Sequence, residues 1–296
     1  QELSGGLQED DYVVLYGRGK NKKTFIFSYL IATWFMDGKK ILFYTKEMTP
    51  KNIYKRIIAF ICGFAYQEMR GYSLSPADEE RMYELRNDIN ELEHGDRFVC
   101  LSGQDVPEGG DTVSWIQSKV ELYKPDIVAI DGIYLLSSSR KVKSDHERVM
   151  DISRSLRQMI LRTKTPVLAT IQANRQAANH NRGDLSEIAY SDAVGQDATV
   201  AMRCIASKTE NKVTMVMAGT REFPLDGFTI NADPCRDFSF IEVIGTAQVL
   251  AAKDEDVEEE VAADVVNKSA KPRVRKKTAA DNADSVSLEK SVRAAL

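Results

Sequence analysis

The sequence predicts an α/β protein, a mostly parallel sheet flanked by helices and followed by a disordered charged tail. Two patterns predict it: short apolar runs alternate with longer helical ones, and every Phe, Tyr and Trp lies at or before Phe240. Tyr12–Tyr16, Ile41–Tyr44, Phe98–Leu101, Asp126–Ile130 and Pro166–Ile171 are short, continuous and apolar. Such runs suit strands covered on both faces. Between them, Thr24–Asp37, Pro50–Gly63, Pro76–Leu92, Thr112–Tyr123 and Asp145–Lys164 carry helical patterning. The last is clearest, with Val149, Ile152, Leu156 and Ile160 spaced three or four apart on one face. Ser75-Pro76 reads as a cap followed by proline at the first helical position. Alternation of this kind implies right-handed crossovers, with ligands at the carboxyl ends of the strands.

Past about residue 248 the aromatics stop, and an acidic run, Asp254–Glu260, gives way to a basic one, Lys271–Lys277. Such a segment buries too little apolar area to offset its ordering entropy. The expected division is therefore a folded domain at 1–247 and a tail at 248–296. A solvated tail is the simplest reading, although Arg273, Arg275, Lys276 and Lys277 could brush DNA.

Forty Lys and Arg against 44 Asp and Glu give a net charge of −4, which argues against coating nucleic acid by bulk charge. A local basic channel is compatible with that balance. No apolar run approaches the roughly 18–20 residues of a membrane span. The start, Gln-Glu-Leu-Ser-Gly-Gly, carries no basic region leading into an apolar one, so no secretory signal is expected. Cys62, Cys100, Cys204 and Cys235 form no CxxC pair and only three His are present, so no zinc site is expected. Free thiols suit a reducing cytoplasm.

Gly17-Arg18-Gly19-Lys20-Asn21-Lys22-Lys23-Thr24 follows the first strand and opens the first helix. That is the context demanded of a phosphate loop, in which backbone N–H groups cradle phosphates and Lys23 reaches the β/γ oxygens. The Thr24 hydroxyl would hold Mg²⁺. The sixth position, normally Gly, is Lys22, whose Cβ is expected to crowd a backbone that must approach phosphate closely. The plainer alternative is a basic turn that caps a helix. Three further polar groups fall at strand ends. Asp131 ends DIVAI and could hold Mg²⁺ through water. Glu47 lies just past ILFYT and could activate a water. Gln172 follows PVLATI and could sense a γ-phosphate. Each alone could be a solvated strand end or a cap.

GLQEDDYVVLYGRGKNKKT and KKILFYTKEMTPKNIYKRI resemble the start of the ATPase domain of DnaB-type replicative helicases. The resemblance runs through GYSLSPADEERMYEL, PDIVAIDGIYLL, ISRSLRQMILRTKTPVLATIQANR and YSDAVGQDATVAM, in family order, and covers about residues 4–245. It implies a RecA-like P-loop NTPase core that assembles as a homo-oligomeric ring, usually a hexamer, around single-stranded DNA. ATP and Mg²⁺ would sit between subunits and drive 5′→3′ movement, with a primase or helicase loader as a further partner. It assigns Lys23 and Thr24 to the phosphate loop, Glu47 as catalytic base, Asp131 as the metal-binding acid and Gln172 as sensor. Arg221 becomes an arginine finger donated in trans. Three positions depart from the family pattern: Lys22 in the loop, Gly219 where a Lys is usual, and Gly132 where a Tyr is common.

DNA contact is expected from loops that follow strands: Ser137–His146, with Arg140, Lys141 and Lys143, and Asn174–Gly183, with Arg175 and Arg182. Cations among amides and small residues suit backbone tracking without base readout. Ordinary solvated loops would look similar. Two classes of function stay open, an active DNA-dependent ATPase and a non-catalytic RecA-like subunit with a degenerate phosphate loop. A recombinase or KaiC-like ATPase fits the sheet but matches Glu47-Met48 and Gln172–Arg175 less well. An ATPase region with a divergent loop would suit a phage-encoded protein working in its host's cytoplasm.

Overall fold

The computed structural model describes residues 6–107, 110–174, 185–190, 192–207, 212–220, 228–231 and 241–243. Nine strands form one sheet in the order β3-β2-β4-β5-β1-β6-β7-β8-β9. They are β1 (Tyr12–Gly17), β2 (Ile41–Thr45), β3 (Phe98–Ser102), β4 (Ile127–Asp131), β5 (Val167–Gln172), β6 (Val200–Ala206), β7 (Lys212–Thr220), β8 (Phe228–Asn231) and β9 (Ile241–Val243). The first six in chain order pair in parallel, and β7, β8 and β9 add antiparallel. The helices are α1 (Lys23–Met36), α2 (Pro50–Cys62), α3 (Tyr66–Gly71), α4 (Pro76–Glu84), α5 (Arg86–His94), α6 (Val113–Tyr123), α7 (Asp145–Thr163) and α8 (Asp192–Asp197).

The strand period of two sorts the core into two layers. Val13 and Leu15 of β1 face one way, with Phe43 of β2, against Phe27, Ile31 and Phe35 of α1 and Ile53 and Ile57 of α2. Tyr12, Val14 and Tyr16 face the other way, against Ile116 and Val120 of α6 and Val149, Ile152, Leu156 and Ile160 of α7. The helical face read from sequence in Asp145–Lys164 is thus buried. Phe27 meets Phe43 edge-on, with ring centroids 5.6 Å apart, a geometry that aromatic quadrupoles favour.

Two expectations need correction. Pro76–Leu92 is not one helix: α4 ends before Leu85, and α5 begins after it. The sequence there has no proline or glycine to mark the break. The run Phe98–Leu101 is a strand but not one covered on both faces. It is the end strand of the sheet, so Val99, Cys100 and Leu101 stay half-buried. Ser75 does cap α4, its hydroxyl accepting from the Asp78 N–H.

The sequence reading stopped at five strands. β6 hides because Arg203 interrupts its apolar run, yet Arg203 is only 2% exposed and is ion-paired to Glu187. A buried charge survives when such a partner meets it. Among the described residues, no helix is long and apolar enough to cross a membrane, and Cys62, Cys100 and Cys204 carry free thiols.

Candidate functional site

Because β5 lies between β1 and β4, and β4 lies between β5 and β2, four adjacent strands end at one edge. All four run parallel, so the residues following them gather there: the loop after β1, Glu47 after β2, Asp131 at the end of β4 and Gln172 at the end of β5.

Gly17 must be glycine. A Cβ there would lie 2.6 Å from the carbonyl oxygen of Cys204 on β6. Arg18, Gly19 and Lys20 are exposed, and Asn21 is pinned by its amide, which donates to the Cys204 carbonyl at 3.0 Å. Lys22, at the position expected to need glycine, adopts the left-handed conformation with φ 54° and is the N-cap of α1. Its carbonyl accepts from the N–H groups of Phe25 and Ile26, both at 3.0 Å. The loop therefore reaches a glycine-like turn with a side chain in place, at a cost of about 1 kcal/mol. Lys20 shares the positive φ, at 71°.

Lys23 donates to the carbonyls of Gly17 at 2.8 Å and Arg18 at 2.9 Å. Burial lowers its pKa from the ordinary value, and Cys204, Glu47 and Asp131 pull the other way. Asp131 is 2% exposed. Burial, and then the charge of Glu47, raise its carboxyl above the usual value, against the opposing influence of Thr170, Thr24 and Lys23. Its Oδ1 accepts from the Thr170 hydroxyl at 2.7 Å. That hydroxyl also accepts from the Gly132 N–H at 2.8 Å. Oδ2 is buried and accepts no hydrogen bond, although Thr24 and Lys23 both favour its charge. An orphaned carboxylate oxygen close to a threonine hydroxyl is a hard-oxygen donor set that fits Mg²⁺.

Glu47 and Gln172 are joined by a residue that sequence reasoning missed. The Tyr134 hydroxyl donates to Glu47 Oε1 at 2.5 Å and accepts from Gln172 Nε2 at 2.8 Å. Nothing local marks this tyrosine; only the turn after β4 brings it back over the site. Gly132 makes the turn with φ 93°, and a Cβ there would sit 3.2 Å from Glu47 Oε1. A side chain at the position where the family commonly has Tyr would displace the glutamate. Gln172 is held from behind as well. Its carbonyl accepts from Ala189 N–H at 2.9 Å, and Asn174 N–H donates to the Glu187 carbonyl at 2.8 Å. Glu187 is the partner of Arg203, so the buried ion pair braces the end of β5.

Lys46, beside Glu47, is ion-paired to Asp111 and donates to the Leu135 carbonyl at 3.1 Å. Burial opposes the charge of Asp111, but Lys46 and Ser137 outweigh it and hold the carboxyl below its usual value. Ser137 opens the loop carrying Arg140, Lys141 and Lys143, all exposed, with Arg140 Nε 3.6 Å from Asp151 Oδ1. Arg175, Arg182 and Arg221 lie outside the described residues. Gly219 sits on β7, where a Cβ would lie 3.3 Å from the Leu185 side chain.

The family model for the DnaB-like helicase C-terminal domain matches residues 1–226. A probable plasmid replicative DNA helicase of Chlamydia psittaci is 25% identical over 204 residues, covering 66% of this chain and 42% of that protein. The replicative DNA helicase DnaB of Treponema pallidum is 24% identical over 227 residues, covering 75% and 50%. The chain thus spans half or less of the length of these curated relatives. Among solved structures, a DnaB-like replicative helicase described with its interactions with primase superposes with TM-score 0.67 at 20% identity, over 77% of this chain and 56% of that one. A helicase-type ATPase domain superposes with TM-score 0.69 at 20% identity, over 82% and 87%. A KaiC-like protein of Pyrococcus horikoshii reaches TM-score 0.51 at 15% identity, over 82% and 93%. The sheet is that of a RecA-like ATPase core, and the chain belongs to the DnaB-like helicase C-terminal domain family.

Proposed function

We propose that this chain is the ATPase motor of a replicative DNA helicase, which hydrolyses ATP at the subunit interfaces of a ring to move 5′→3′ along single-stranded DNA. The observation that carries the reading is the convergence of Lys23, Glu47, Asp131 and Gln172 on one sheet edge. The curated relatives, named as replicative helicases, support it.

In this reading the loop Gly17–Thr24 cradles the phosphates, and Lys23 exchanges its carbonyl partners for β/γ oxygens. Thr24 and Asp131 hold Mg²⁺, which would offset charge on the phosphate oxygens. Glu47 accepts the proton of a water whose oxygen attacks the γ-phosphorus. The bond to the bridging oxygen breaks, and ADP leaves. Gln172 faces the γ-phosphate, and Arg221 of a neighbouring subunit stabilises the developing charge. Arg140, Lys141 and Lys143, with Arg175 and Arg182, track the DNA backbone through phosphate contacts. A primase or helicase loader is the expected further partner.

A second reading, a non-catalytic subunit that binds DNA or a partner ring, draws on Lys22 and its left-handed backbone in the phosphate loop. Steady-state ATP hydrolysis with Mg²⁺, with and without single-stranded DNA, separates the two. DNA-stimulated turnover that Lys23→Ala abolishes, with far-UV circular dichroism unchanged, is the expected result. Assembled, DNA-bound protein that hydrolyses nothing would overturn the motor reading in favour of the subunit.

A further inference from the structure

We propose that Tyr134 is a positioning residue that couples the orientation of the Glu47 carboxylate to the amide of Gln172, so that the base is placed by the arrival of the γ-phosphate. The proposal rests on the hydrolytic reading of this site.

Three features support it. First, Tyr134 sits in the turn after β4, between the ends of β2 and β5 in the sheet, and its single hydroxyl bonds to the functional group at each. The polarity of this chain is fixed by chemistry. A carboxylate can only accept, so the phenol proton goes to Glu47 and its oxygen is left to accept from the amide N–H of Gln172. The amide keeps a second N–H with which to reach a phosphate oxygen. Second, the phenol stays protonated: burial, then the bond to Glu47, raise its pKa above the usual tyrosine value. Third, the ring is held in place. It stacks on Tyr190 with centroids 5.8 Å apart and planes 11° apart. The Lys46 ammonium donates to the carbonyl of the next residue, Leu135, at 3.1 Å. Two consecutive residues after β2 are thus tied to two consecutive residues after β4.

A glutamate side chain on a loop samples several rotamers, and a base must be held within a fraction of an ångström to act on a water. Tyr134 supplies that restraint. A shift of the Gln172 amide toward a phosphate is felt at Glu47 because both share one oxygen, and hydrogen bonds in such a chain polarise one another.

The test is Tyr134→Phe, which keeps the ring and its stack and removes both hydrogen bonds. ATP turnover is measured per nucleotide-binding-competent site, so any misfolded fraction drops out. The expected result is a kcat lower by about 10- to 100-fold, the scale of a lost hydrogen bond to a charged group. The dissociation constant for a non-hydrolysable ATP analogue should stay within about twofold, because this hydroxyl does not itself bind phosphate. A double variant with Gln172→Ala should be no slower than the slower single variant, since both residues act through the same oxygen. Wild-type kcat in Tyr134→Phe, or losses that multiply in the double variant, would overturn the coupling while leaving the motor reading in place. Absence of hydrolysis in the wild-type protein would overturn both together.

Discussion

Thr170 offers the most direct test of how the site is built. Its side chain is 1% exposed. Its hydroxyl accepts from the Gly132 N–H at 2.8 Å and donates to Asp131 Oδ1 at 2.7 Å. Thr170→Val replaces the hydroxyl by a methyl of nearly the same volume, so no cavity opens and the cost is polar. Leaving a buried N–H without a partner costs about 1–3 kcal/mol, and losing a bond to a carboxylate costs about 1.5–3 kcal/mol. Asp131 escapes part of its share by holding a proton, so the expected loss is about 3 kcal/mol. With a urea m-value of about 3 kcal/mol per molar, the unfolding midpoint should fall by roughly 1 M with the slope unchanged. Thr170→Ser keeps the hydroxyl and gives up only a methyl, at a cost of about 1 kcal/mol. A valine variant within about 0.5 kcal/mol of wild type, or a serine variant as unstable as valine, would refute the hydroxyl's role in holding Asp131 and the Gly132 turn.

Three other outcomes are expected. Asp131 has a raised folded-state pKa, chiefly through burial, so its ionisation opposes folding increasingly as pH rises from the ordinary carboxylate value through the folded one. In metal-free protein Asp131→Asn should therefore be more stable than wild type at neutral pH. The advantage should shrink as pH falls to the ordinary carboxylate range; urea midpoints across pH would refute this if the gap stayed constant. Gly17→Ala forces a Cβ to within 2.6 Å of the Cys204 carbonyl. It should cost about 1–3 kcal/mol and lower Tm by about 3–10 °C, whereas an unchanged thermal melt would mean that the ends of β1 and β6 separate freely. Lys22→Gly relieves a left-handed side-chain residue and should raise stability by up to about 1 kcal/mol. Lower turnover in that variant would show that Lys22 itself contacts phosphate.

Much of the core was legible because its physics is local. Apolar runs long enough for one strand, separated by stretches with helical spacing, leave few folds open, and the phosphate loop announces itself by its place between a strand and a helix. What escaped was set by distant partners. β6 reads as interrupted at Arg203 until Glu187 is seen beside it. The break at Leu85 carries no proline or glycine, so packing rather than propensity ends α4 there.

The site divides in the same way. Glu47, Asp131 and Gln172 could be picked out by sequence because each stands at the end of an apolar strand, and parallel strands deliver their ends to one edge. Lys22 was expected to crowd the loop, but a single left-handed residue at the helix N-cap accommodates it. Tyr134 and Thr170 carried no signal of their own. One is a tyrosine in a turn and the other a threonine inside a strand, and each matters only through groups far away along the chain. The sequence by itself determined which elements form and which chemistry reaches the sheet edge, because propensity, periodicity and strand direction are properties of the chain. Tertiary structure alone decided which hydrogen-bond partners orient that chemistry, because a side-chain hydroxyl within about 3 Å of a carboxylate is a fact of packing that no local pattern encodes.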